Sequence, residues 1–199
     1  MTAAVIAAAG QSSRMGEFKP LLPLGGSTII ARTIQTLKEA GAAPVLVVTG
    51  YNSAVLEEYL AGQDILLVKN EEFARTDMLA SLKLGLSSLP GGWGRVFLGP
   101  ADSPLASPKT LTRMLAVPAR AVCPLCGGEK GRPLLLDREA AAQVLAWNGP
   151  GGLRGLLDSG ALKEVRLETG DPGVLLDADT PQEYQRLLDY AKDALRHPQ

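Results

Sequence analysis

Apolar residues along the chain follow two alternating rhythms. Short continuous runs at 4–9, 45–49, 65–68 and 95–98 have the length and boundaries of buried strands; the first ends at Gly10, and the second lies between Pro44 and Gly50. Longer stretches between them carry apolar residues at helical spacing. Over 27–40, Ile29, Ile30, Ile34 and Leu37 share one stripe, with Ser27 as N-cap and Gly41 just past the end. Residues 53–60 and 108–115 predict further helices, and over 77–89 Leu79, Leu82, Leu86 and Leu89 stand in register. Repeated strand–helix–strand order predicts an α/β fold, a mostly parallel sheet with helices on both faces. Such sheets bind ligands beyond the carboxyl ends of their strands. The residues to read for chemistry are therefore 10–16, Thr49 and Gly50, Asn70, and 99–104.

Past residue 115 the alternation is less regular. Strands are expected at 121–125, 133–136, 162–167 and 173–176, and helices over 137–147 and 153–157. Thr180-Pro181-Gln182-Glu183 is a capping box with proline at the first helical position. Tyr184, Leu187, Leu188, Ala191 and Leu195 then form the buried stripe of a last helix. With no internal repeat and no linker, 1–199 is expected to be a single domain with halves of about 1–115 and 116–199.

Charge narrows the function. Twenty Lys and Arg against 21 Asp and Glu give a net charge of -1, so the chain lacks the cationic excess of a nucleic-acid coat. Any phosphate binding must be local. No apolar run reaches membrane-spanning length, and the opening Met-Thr-Ala-Ala-Val-Ile has no basic flank, so neither a membrane partner nor a secretory leader is expected. Two cysteines exclude a disulfide framework, and a cytoplasmic location is expected.

Three segments carry candidate chemistry. In the first, Gly10-Gln11-Ser12-Ser13-Arg14-Met15-Gly16 leaves the first strand, with Lys19 following. Successive backbone amides around glycines form an anion-binding concavity. Arg14 can clamp phosphate oxygens and Lys19 can act as a point charge. Gly16 falls six residues after Gly10 and is followed by Glu17, which fits no P-loop; Ser12 stands where a dinucleotide fingerprint needs its second glycine. An ordinary glycine-rich turn with surface charges is the alternative. The second segment, Gly99-Pro100-Ala101-Asp102-Ser103-Pro104, sets an aspartate just past a strand. There it suits a hard cation such as Mg2+, or caps the next helix. In the third, Asp177 and Asp179 alternate by two, so that either can complete a metal shell or favour a helix N-terminus.

These segments, in this order, resemble the MobA-like nucleotidyltransferase family, most closely its molybdenum cofactor cytidylyltransferase branch. The family opens with Leu-Ala-Ala-Gly-x-Ser-x-Arg-Met-Gly-x-x-Lys. Here Ala7-Ala8-Ala9-Gly10 leads into Ser12, Arg14, Met15, Gly16 and Lys19. The family's Asp-x-Pro is matched by Asp102-Ser103-Pro104, and its Asp-x-Asp-Thr-Pro by residues 177–181. A segment of the form Pro-x-Tyr-x-Gly-x-x-Gly-His-Pro is similar to residues 124–133, with Arg132 where the branch has His. The resemblance implies a Rossmann-like, doubly wound sheet of the nucleotide-diphospho-sugar transferase type with a small acceptor-binding lobe. It implies a Mg2+-dependent transfer that joins CMP from CTP to a molybdopterin-type phosphate monoester and releases pyrophosphate. Ala8, Ala9, Gly10, Ser12, Ser13, Arg14, Gly16, Lys19, Asn70 and Ser81 would bind nucleotide. Arg14, Lys19 and Asp102 would act in catalysis, and Asp102 with Asp177 or Asp179 would hold metal. Arg132 and Arg154 would meet the acceptor. A monomer is expected, with a molybdoenzyme or its chaperone as the candidate recipient of its product.

Rival readings remain at this level. They are a GTP-dependent transferase of the same branch, a sugar- or polyol-phosphate nucleotidyltransferase, and a non-catalytic nucleotide-binding accessory protein. Asn70 and Ser81 can equally be a turn asparagine and a helix-packing serine. Cys123-Pro124-Leu125-Cys126 has no second ligand pair for zinc and lies in a strand-like run, so it reads as buried or edge thiols. Trp93 and Trp147 read as packing residues.

Overall fold

The computed structural model describes residues 1–11 and 15–194. In chain order, β1 (Thr2–Ala7) leads through a 3-10 turn (Lys19–Leu21) and a small hairpin, β2 (Pro23–Leu24) and β3 (Ser27–Thr28), into α1 (Ile29–Glu39). Next come β4 (Ala42–Thr49), α2 (Ser53–Leu60), β5 (Leu66–Lys69), α3 (Met78–Ser88), β6 (Arg95–Pro100) and α4 (Pro108–Ala116). The rest is β7 (Ala121–Cys126), β8 (Glu129–Lys130), β9 (Leu134–Asp137), α5 (Arg138–Ala146), α6 (Gly152–Asp158), β10 (Val165–Glu168) and α7 (Pro181–Ala194).

The central sheet runs β10-β7-β9-β6-β1-β4-β5, with β8 added against β7. β1 pairs in parallel with β4 and β6, and β4 with β5, so the carboxyl ends of these four strands share one edge. β10 is parallel to β7, whereas β9 runs antiparallel to both β6 and β7. The sheet is therefore mixed and mostly parallel.

Strict alternation along the strands sends side chains into two cores. Ala4, Ile6, Val45, Val47, Phe97, Val122 and Leu135 face Ile30, Ile34, Leu56 and Leu111 on one side. Ala3, Val5, Leu46, Val48, Leu98, Leu134 and Leu136 face Leu79, Leu82, Ala140 and Val144 on the other. Two-sided burial explains why the strands read as unbroken apolar runs. A third, smaller core gathers Leu22, Leu24, Ile29, Leu105, Ala178, Leu187 and Ala191, and ties α7 to the β2–β3 hairpin.

Several expectations need correction. Thr28, not Ser27, caps α1, its hydroxyl accepting from Ala31 N at 3.3 Å. Pro44 lies inside β4, beside a register irregularity between Thr2 and Ala4 of β1. Strand β10 starts only at Val165. Residues 173–176 form no strand: Pro172–Val174 is a 3-10 turn. Pro172 has no amide for a ladder, and the Asp171 carboxylate takes the Gly173 amide at 2.9 Å and the Ser107 amide at 2.8 Å instead.

Gly85 sets how closely α3 lies on the sheet. A Cβ there would stand 2.9 Å from Val48 Cγ2 and closer still to Val5. Gly85→Ala is expected to destabilise the fold by about 1–3 kcal/mol through overpacking. Urea unfolding would measure it, and an unchanged midpoint would count against this seating of the helix.

Candidate active site

A cleft of about 190 Å³ opens where β1 and β6 end and α3 begins. Ala7, Ala8, Ala9 and Gly10 form one wall, Pro100, Ala101 and Asp102 another, and Phe73, Thr76, Asp77, Met78 and Ser81 the far side, with Lys19 at the rim. The backbone of the first wall is held by its neighbours. Ala8 N donates to Val48 O at 2.8 Å, and Ala9 O accepts from Tyr51 N at 3.1 Å. Gly50 permits this approach: a Cβ there would lie 2.7 Å from Ala9 Cβ and 2.8 Å from Phe73 Cβ. Gly16 takes a left-handed φ of +72°, as a turn glycine should. Ser12, Ser13 and Arg14 lie outside the described residues.

Charges converge on the rim from distant parts of the chain. Lys19 Nζ donates to Asp102 Oδ2 at 2.7 Å and to Asp179 Oδ1 at 2.5 Å. Burial alone would lower the Lys19 pKa, but Asp102 and Asp179 outweigh it and hold it above its ordinary value. The ammonium is therefore charged throughout the neutral range. Arg132 donates to Asp177 Oδ2 at 2.7 Å. Burial again works against its charge, yet Asp177, and beyond it Asp102 and Asp179, keep the guanidinium pKa raised. The two acids of the C-terminal motif thus serve different cations. Among the described residues no three acidic, cysteine or histidine groups stand ready to enclose a metal. Asp102 Oδ1, however, is buried and has no hydrogen-bond partner among them. A hard, anionic oxygen of this kind fits a cation that takes one or two carboxylates and fills its shell with phosphate oxygens and water.

Asn70 and Ser81 are joined directly, Asn70 Nδ2 donating to Ser81 Oγ and to Thr76 Oγ1, each at 3.0 Å. Ser81 lines the cleft, while Asn70 is buried behind it and organises the turn before α3. Arg154 is not brought to the cleft: its side chain is 92% exposed and pairs with Asp158 at 3.6 Å. It sits on the outer face of a seven-residue helix, so the glycines before that helix do not aim it inward. Trp93 and Trp147 pack against the second core. Phe73, Thr76, Asp77 and Met78 escaped the sequence reading. Their signal was positional, since they follow β5 on the edge where ligands bind.

The cysteines are free, Cys123 buried and Cys126 half-buried. Burial, helped by Glu164, pushes the Cys123 thiol up to about 11. Iodoacetamide near neutral pH is expected to label Cys126 about tenfold faster than Cys123, as thiolate fraction and access dictate. Peptide mass mapping would read this, and preferential labelling of Cys123 would contradict the burial described.

Comparisons with known proteins bear on the family and the fold. The MobA-like NTP transferase domain model matches residues 4–167. The molybdenum cofactor cytidylyltransferase of Escherichia coli K12 is 28% identical over 182 residues, covering 90% of this chain and 92% of that protein. A nucleotidyl transferase from Methanothermobacter superposes with a TM-score of 0.84 at 27% identity, covering 96% of this chain and 98% of that one. Rv0371c from Mycobacterium tuberculosis H37Rv gives a TM-score of 0.80 at 26% identity, over 94% and 97% of the two chains.

Proposed function

Because the chain belongs to the MobA-like NTP transferase family, we propose that it transfers CMP from CTP to a molybdopterin-type phosphate monoester and releases pyrophosphate, with Mg2+ as its metal. The observation that carries this reading is the Lys19 ammonium held between Asp102 and Asp179 at the mouth of the cleft. Similarity to the Escherichia coli cytidylyltransferase along nearly the whole chain supports the choice of nucleotide and acceptor.

The chemistry asks little of proton transfer. A phosphate monoester carries about -1.5 to -2 charge near neutrality, so its oxygen is already a nucleophile. That oxygen bonds to the α-phosphorus; the bond from the α-phosphorus to the bridging oxygen breaks, and pyrophosphate leaves with the electron pair. The chain has one histidine, His197, and the step needs none. What the protein must do is hold two anions together and in line. The backbone of Ala8, Ala9 and Gly10 receives the triphosphate beside Lys19, whose charge opposes the repulsion between the reactants. Arg132, with its side chain half exposed, is the cation that meets the acceptor phosphate. Asp102, through Oδ1, and Asp179 would hold Mg2+, which when bound would neutralise charge on the phosphate oxygens.

The test is pyrophosphate release with each nucleoside triphosphate, with and without molybdopterin-type and sugar-phosphate acceptors. Release is expected with CTP and the pterin acceptor in Mg2+. Tight CTP binding without release would favour a non-catalytic role. Asp102→Ala is expected to abolish turnover while far-UV circular dichroism stays unchanged. Lys19→Ala is expected to lower kcat by about 10²–10³ while the KM for CTP moves only a few-fold. A fully active Asp102 variant would remove the metal assignment.

A further inference from the structure

We infer that Thr33 and Thr36 of α1 are positioning residues that fix the backbone on both sides of Asp102, an inference that rests on the nucleotidyltransferase reading above. Strand β6 ends at Pro100, yet the chain stays buried as it leaves: Ala101 is 5% exposed, Asp102 9% and Ser103 7%. A buried irregular segment has no ladder to satisfy its carbonyls, so donors must come from elsewhere. Thr33 Oγ1 donates to Ala101 O at 2.8 Å, and Thr36 Oγ1 donates to Pro104 O at 3.1 Å. On the amide side, Ala101 N donates to Ala7 O at 2.9 Å. The residue that carries the carboxylate is thereby bracketed by two carbonyls anchored to one helix.

The threonines themselves argue for this role. Both are buried, on a helix whose neighbouring residues Ile30, Ile34 and Leu37 belong to the core. A hydroxyl costs free energy there unless it is paired, so a core position without a polar task favours valine. Thr33 Oγ1 also lies 3.0 Å from Ile29 O of its own helix, but its single hydrogen has a shorter path to Ala101 O. The loop does not supply the anchor itself, since the buried Ser103 hydroxyl has no partner among the described residues. Neither threonine is among the residues lining the cleft, so both act through Asp102. Their work is to set where its carboxylate points, and a displacement near 1 Å at a reacting centre costs about 100-fold in rate.

Valine and serine substitutions separate the hydroxyl from the packing. T33V, T36V and the double variant are compared with T33S and T36S in CTP-dependent pyrophosphate release. Mn2+ binding in the presence of CTP, followed by electron paramagnetic resonance, gives a readout independent of turnover. The double valine variant is expected to lose about 100-fold in kcat with a nearly unchanged KM for CTP. Its Mn2+ binding should weaken by about tenfold, and the serine variants should restore both. Valine variants with wild-type kcat and Mn2+ affinity, even if easier to unfold in urea, would overturn the inference. Serine variants as impaired as the valine ones would overturn it too. If the double variant does not fold, the single variants decide by the same criteria. A wild-type protein that neither releases pyrophosphate nor binds Mn2+ with CTP would remove the nucleotidyltransferase reading, and this inference with it.

Discussion

One ammonium and two carboxylates constrain the rest of the molecule. Lys19 follows the first strand, Asp102 follows the sixth, and Asp179 precedes the last helix, yet Lys19 reaches both acids within hydrogen-bonding distance. The side chains of Lys19 and Asp102 are each only 13% exposed. Charges so poorly hydrated are tolerated when paired and become costly when one partner is removed. The fold must therefore deliver all three groups to the same place, and it does so by three separate routes. Sheet register aligns the ends of β1 and β6, residue Ala7 standing opposite Pro100. The 3-10 turn swings Lys19 back over the sheet edge. The third core brings in the C-terminal segment.

That third core carries more than its size suggests. Ala178 is fully buried between Asp177 and Asp179, so the acids emerge on either side of an anchored residue. Leu187 and Ala191 of α7 pack with Leu22, Leu24 and Ile29 of the hairpin and α1, and Tyr184 donates its hydroxyl to Pro23 O at 2.6 Å. Thr180 caps the helix, its oxygen accepting from Glu183 N at 3.2 Å. Hairpin and helix flank Lys19 and Asp179 respectively, so one small apolar cluster holds both ends of that ion pair. The family match ends at residue 167, before this segment. The final acids lie between the end of that match and the start of α7.

Much of the architecture was legible because two-sided burial writes an apolar run for each strand and a stripe for each helix. The alternation through residue 115 led directly to β1, β4, β5 and β6 with the helices between them. The second half was harder for a physical reason. β9 is antiparallel and short, β10 is an edge strand with polar residues at alternate places, and Pro172 ends any ladder before 173–176 can join one. For the site, Gly10, Lys19 and Asp102 announced themselves through residue type and position after a strand. The pairing of Asp177 with Arg132, and of Asp179 with Lys19, could not be read, because it depends on how α7 docks. Thr33 and Thr36 gave no signal at all, since a threonine in a helix looks the same whether its hydroxyl meets solvent or a distant carbonyl.

The antiparallel strand β9 has a mechanical meaning. Among the described residues it is the only strand joining β10 and β7 to the parallel block of β6, β1, β4 and β5, and it does so with the four residues Leu134–Asp137. Within the sheet, the β7–β8 hairpin that leads into Arg132 is joined to the parallel block across this narrow seam. A shift of β7 or β10 therefore reaches the parallel block, within the described sheet, through the short ladders of these four residues.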